Sequence, residues 1–148
     1  MTDLADYSRL AARDHGLCVV STVRANGTVQ SSLVNAGVLT HPVTGADVLG
    51  LVVRADARKL VNLRARPQTT AVARAGYEWA AVEGTAELIG PDDPADGVDV
   101  EGLRLLLRAV FTAAGGTHDD WPTFDAVMLA ERRTAVLVHP TRIYSNAV

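Results

Sequence analysis

The chain has 148 residues, nearly half of them apolar, with 14 basic against 17 acidic side chains and a formal net charge of −3. That length accommodates one domain with one real core, read here as a single unit over residues 1–148, and the acidic balance argues against nucleic-acid binding. No apolar run is long enough to cross a bilayer, and the N-terminus has no basic start followed by an apolar stretch, so neither membrane insertion nor secretion is expected.

Asp3 is placed to cap a helix over residues 4–13 with Leu4, Tyr7 and Leu10 or Ala11 on one face, ended by Gly16. Residues 17–24 read as a strand, Asn26-Gly27 as a hairpin turn, and residues 28–39 as the return strand. A turn over 41–45 leads to a strand at 48–53, apolar enough to be buried on both faces. A short helix over 57–65 follows, with Asp56 as its expected N-cap and Pro67 as its stop. Strands are expected at 69–75 and 79–89, joined by a turn at Gly76. Helices follow at 100–114, carrying the Leu103, Leu106, Leu107, Val110 stripe, and at 123–130. Two short strands over 134–138 and 142–145 close the chain. Sequential strands with tight turns and few helices describe a mainly β (α+β) fold, a β-barrel with peripheral helices.

The single cysteine, Cys18, lies among Leu17, Val19 and Val20 and reads as a small buried hydrophobe in a chain suited to the reducing cytoplasm. None of His15, His41, His118 and His139 is spaced as a metal-ligand pair, so no metal is expected. His118 with Asp119 and Asp120 reads as a solvated loop. No nucleophile elbow, phosphate-binding loop or dinucleotide fingerprint occurs.

The informative region is basic. Arg54, Arg58, Lys59, Arg64, Arg66 and Arg74 fall within 21 residues, with Asp56 the only acid among them, whereas Asp92, Asp93, Asp96, Asp99 and Glu101 crowd a later segment. Such a region is either a solvated arginine-rich face or the seat of a small anion. Arg58 and Lys59 favour the anion, because they sit in the first turn of a helix, where free N–H groups already carry partial positive charge. Lys59 is the only lysine beside thirteen arginines, as expected if a compact ammonium is needed there. Tyr77 and Trp79 share a strand face and either stack on a flat heterocycle, pack on a neighbouring subunit or fill the core. Gln30 and Ser32 likewise share a face, and either bond the polar edge of a ring or form the solvent side of an edge strand.

The order of four segments resembles the pyridoxamine-5′-phosphate-oxidase-like split barrels, in particular their F420-dependent actinobacterial branch. The segments are Gly27-Thr28-Val29-Gln30-Ser31-Ser32, then Arg58 to Pro67, then Trp79-Ala80-Ala81-Val82-Glu83-Gly84-Thr85-Ala86. The last is His118-Asp119-Asp120-Trp121 with Glu131-Arg132-Arg133 before a closing strand ending in Ile143-Tyr144. The resemblance implies an FMN-binding-type split β-barrel and a homodimer with the cofactor between subunits. It implies an oxidoreductase moving a hydride between the deazaflavin coenzyme F420 and a small organic acceptor; FMN, or a non-enzymatic cofactor- or tetrapyrrole-binding role, are the alternatives. It further implies that the phosphate and acidic tail meet Lys59, Arg58 and Arg54, and that the ring passes Gln30, Ser32, Val52 and Val53. Tyr77 and Trp79 then approach the cofactor. Two departures are visible: Ala65-Arg66 stands where relatives often read Arg-Asp, and Ala57 where relatives can carry a tail-binding arginine, which leaves Arg54 as its replacement.

Overall fold

The computed structural model describes residues 1–147. Its elements in chain order are α1 (Leu4–Ala12), β1 (Leu17–Val23), β2 (Val29–Asn35), β3 (Gly37–Thr40), β4 (Asp47–Val53), α2 (Arg58–Ala65), β5 (Gln68–Ala75), β6 (Glu78–Ile89), α3 (Val100–Ala113), α4 (Trp121–Ala130) and β7 (Thr134–Ser145). The seven strands form one antiparallel sheet in the order β2-β1-β5-β6-β7-β4-β3. Its two edge strands, β2 and β3, are separated in the chain by Ala36 alone, so the sheet must curl until its edges meet at that end. The result is a barrel split along the β2 side.

Two expectations about strands need correction. The return strand read over residues 28–39 is two strands: β2 pairs with β1, and β3 pairs with β4. The partner changes at Ala36, whose N–H donates to the carbonyl of Gly16. Conversely, the two closing strands are one twelve-residue β7. Its register against β6 slips between Glu83 and Gly84, leaving Thr141 without an opposite residue. That bulge reverses the alternation, so Val136 and Val138 on one side of it and Ile143 on the other all reach the same interior.

The barrel interior holds Val20, Leu49, Leu51, Val53, Val82, Val136 and Val138, closed by Tyr7 and Ala11 of α1 and by Leu60 and Leu63 of α2. Cys18 is buried there, and burial pushes its thiol above the ordinary range, which makes it unreactive. A second apolar layer forms outside the barrel, where Leu106, Leu107 and Val110 of α3 and Phe124 of α4 cover Val48, Ile89, Ala135 and Leu137. Strand β4 is therefore buried on both faces, as its composition suggested. Helix α4 is fastened to α3 by Asp125, which accepts hydrogen bonds from Arg104 and Arg108, while the Arg108 guanidinium lies 5.2 Å from the Trp121 ring centre. Among the described residues no helix is long and apolar enough to cross a membrane.

Candidate functional site

Helix α2 follows β4 through a short connection. Its N-cap is Ala57, which offers no side-chain hydrogen bond, and its first turn has no acid. Asp56, expected as the cap, instead turns its carboxylate back to Arg54, at 3.5 Å. The free N–H groups of the first turn thus lack the usual side-chain acceptor.

The fold gives four of the six cations of the expected basic region a partner, and two of those four a carboxylate. Arg64 forms a two-pronged pair with Asp93 (2.9 and 2.7 Å), because the acidic segment after β6 folds back against α2. Arg66 donates to the carbonyl of Val23 at 2.9 Å, and Arg74 to that of Gly76 at 3.3 Å. Arg54 lies between Asp56 and Glu131, at 3.5 and 3.9 Å. Of the six cations, Arg58 and Lys59 have no ion-pair or hydrogen-bond partner among the described residues. Arg58 is exposed. Lys59 is partly buried, and that burial holds its pKa below the ordinary lysine range. A half-buried ammonium without a counter-charge, over an uncapped helix start, fits an anion.

Gln30 and Ser32 stand opposite Thr22 and Val20, both buried, so they share the inward-turned face of β2. Asn62 of α2 joins this face to the helix: its side-chain amide donates to Thr22 Oγ1 and to Gln30 Oε1, each at 3.0 Å. Gln30 is thereby held with its carbonyl toward α2 and its NH₂ group turned elsewhere, as a donor. Asn62 was missed as a site residue, although a lone polar side chain among Leu60, Val61 and Leu63 was the available signal.

The two valines of β4 point in opposite directions. Val53 is buried inside the barrel, whereas Val52 is half-buried on the outer face, so of the two only Val52 offers its side chain to a ligand. Val52 lines a cavity of about 480 Å³ together with Val34 of β2 and residues of α3 and α4.

Tyr77 and Trp79 are not part of this constellation within one chain. Ala80 pairs with the Ser145 end of β7, while Val53, next to the α2 connection, pairs with the Thr134 end. The twelve-residue strand puts them at opposite ends of the sheet, roughly 35 Å apart along β7. Tyr77, at the tip of the β5–β6 hairpin, is 98% exposed. Trp79 packs edge-on against Tyr144, with ring centres 6.0 Å apart.

A cluster that the sequence spacing concealed joins His41, Glu87 and His139: Nε2 of each imidazole lies 2.8 Å from Glu87 Oε1. His41 Nδ1 accepts the backbone N–H groups of Val43 and Thr44, both at 3.1 Å, so its proton resides on Nε2 and is donated to the carboxylate. A metal needs that nitrogen bare, with a proton on Nδ1 instead, so the donor set does not suit an ion. Burial raises the Glu87 pKa, but hydrogen bonds from His139 and His41 outweigh it and leave the carboxyl below its usual range.

No protein-family model matches the sequence. Similar folds are found among solved structures. A conserved hypothetical protein of Mycobacterium tuberculosis, Rv2991, aligns over 98% of this chain and 84% of its own, with 18% identity and a TM-score of 0.69. An F420 reductase aligns over 93% of this chain and 95% of its own, with 19% identity and a TM-score of 0.60. A pyridoxamine 5′-phosphate oxidase-related, FMN-binding protein of Nostoc punctiforme aligns over 91% and 79%, with 13% identity and a TM-score of 0.63. In architecture, then, the chain is a split β-barrel of the pyridoxamine 5′-phosphate oxidase-like, FMN-binding type.

Proposed function

We propose that this chain is an F420-dependent reductase whose cofactor seats its phosphate on Lys59 at the start of α2. The observation that carries this reading is the half-buried Lys59 ammonium with no protein partner, above an uncapped helix start. Leaving a cation there is unfavourable until an anion joins it. Arg58 adds charge beside Lys59, and Arg54, which also faces Asp56 and Glu131, is the weaker candidate for an acidic tail. Gln30, its orientation fixed by Asn62, and Ser32 offer hydrogen bonds to the polar edge of a ring flanked by Val52. A reduced deazaflavin supplies a hydride. The residues of the chain bind it, orient it toward a small organic acceptor and keep water away, and no nucleophile is assigned.

The working unit is a homodimer. Leu33, Val19, Val72, Ala81 and Tyr144 are successive cross-strand partners, forming one row across five strands on the outer face of the sheet. Leu33 is 65% exposed and Val19 41% exposed. Covering this row with a second copy hides an apolar patch and gives Tyr77 and Trp79 a partner subunit's cofactor to approach. The one buried thiol suits a cytoplasmic setting.

The FMN-binding Nostoc neighbour supports a second reading, because FMN presents the same phosphate beside a flat ring. Side-by-side fluorescence titrations of apo-protein with F420 and FMN separate the two. A tenfold preference for F420, about 1.4 kcal/mol, is the expected result, and preference for FMN overturns it. Oxidation of reduced F420 by an electrophilic acceptor then distinguishes an enzyme from a storage or tetrapyrrole-binding module, which binds without turnover.

A further inference from the structure

We infer that the cavity beside Val52 binds the acceptor molecule, and that it selects an uncharged aromatic carrying a hydrogen-bond acceptor on its edge. This rests on the reductase reading above. The cavity adjoins the proposed ring seat along β2: Val34, which lines it with Val52, is the next inward-facing residue of that strand after Gln30 and Ser32. Its volume of about 480 Å³ is in the range of small-molecule sites.

The lining sets the ligand class. Val110, Phe111, Phe124, Val127 and Met128 give it apolar walls. The rings of Phe111 and Phe124 lie 5.0 Å apart at 54°, and that of His118 is 5.6 Å from Phe124 at 68°, so part of the wall is an edge-packed aromatic cluster, which suits an aromatic guest. Arg133 also lines the cavity, but its Nε and Nη2 donate to Glu131 Oε1 at 3.2 and 3.0 Å. A charge compensated in this way does not favour a carboxylate guest in otherwise apolar surroundings. Thr123 donates its hydroxyl to Asp120 at 2.7 Å. His118 is different. Its Nδ1 accepts the N–H of Asp120 at 3.0 Å, so the neutral ring carries its proton on Nε2, which has no partner among the described residues. The site thus offers apolar walls and, on the exposed His118, an imidazole N–H without a protein partner, while Asn35, which also lines the cavity, donates its amide to the His15 carbonyl at 2.8 Å.

Calorimetric titration of the 148-residue protein with 2-acetylnaphthalene, naphthalene and 2-naphthoate tests this. The ketone is expected to bind at least about tenfold more tightly than the carboxylate. His118→Phe, which keeps a ring but removes the donor, is expected to weaken the ketone about three- to tenfold and leave naphthalene unchanged. Saturation with F420 is expected to leave the ketone bound. Equal affinity for 2-naphthoate, indifference of the ketone to H118F, or displacement of the ketone by F420 each overturns the inference. A protein that binds F420 but not the ketone overturns this inference alone. One that binds the ketone but not F420 overturns the cofactor assignment and the acceptor role with it.

Discussion

Replacing Lys59 by methionine removes a charge while keeping an unbranched side chain of similar reach. Two charges 4 Å apart near a protein surface attract by about 4 kcal/mol, and the net value of a charge-assisted hydrogen bond, after both groups leave water, is about 1.5–3 kcal/mol. K59M is therefore expected to raise the Kd for F420 roughly 10- to 150-fold. The apo-protein should respond in the opposite sense. Burial depresses the Lys59 pKa, so the folded state disfavours its charged form and the wild type carries a penalty that the variant lacks. K59M should melt at the same temperature as wild type or higher without ligand, and lower than wild type with saturating F420. Because the folded pKa lies below the unfolded one, wild-type stability should also rise with pH through the alkaline window between them, a rise absent from K59M. Fluorescence titration and thermal melts with and without cofactor check all of this. An unchanged Kd, or an apo-variant that melts well below wild type, would make Lys59 a structural residue and refute the reasoning.

Leu33→Asp places a charge at the exposed end of the row Leu33–Val19–Val72 and should yield folded monomers in sedimentation, with Tyr77 more accessible to quenchers. Gly37→Ala should cost about 1–3 kcal/mol in denaturant unfolding, because a Cβ at that position collides with the backbone carbonyl of Ala113 at the end of α3. Hydrogen bonding from Arg108, opposed by burial and joined by Arg104, pulls the Asp125 carboxyl down to about 2. Its ionised form thus stabilises the fold above the ordinary carboxylate pKa near 4, and that contribution is lost as pH falls toward 2. Melting temperatures recorded from pH 5 to 2 should fall more steeply for wild type than for Asp125→Asn.

Much of the architecture was legible in the sequence because local signals agreed. The Asp3 cap forms a full capping box with Asp6, and Asn26-Gly27 turns the hairpin as read. The strand boundaries failed where alternation is blind to partner choice. Even-numbered residues from Gln30 to Val38 face inward without interruption, so periodicity gives no hint that Ala36 transfers the chain from one sheet edge to the other. At Thr141 the reverse holds: a bulge breaks the alternation without ending the strand. In the candidate site, Lys59 was readable from its helix position and its rarity. The neutralisation of Arg64 by Asp93 was not, because it depends on a loop 29 residues further along folding back. The cavity at Val52, assembled from β2, β4, α3 and α4, and the bridge from Asn62 to Gln30 are tertiary in the same sense.

The placement of β2 at the border of the sheet also bears on how the polypeptide behaves before it is assembled. From Val29 to Val34 one side of that strand pairs with β1, while the other carries amide groups that no strand in the same molecule engages. With Val29 and Leu33 exposed beside it, this stretch is a template for strand addition by any nascent copy nearby. Overexpression or slow folding is thus expected to favour precipitation through this segment, and a lysine substituted at Ser31 would act as a gatekeeper against it.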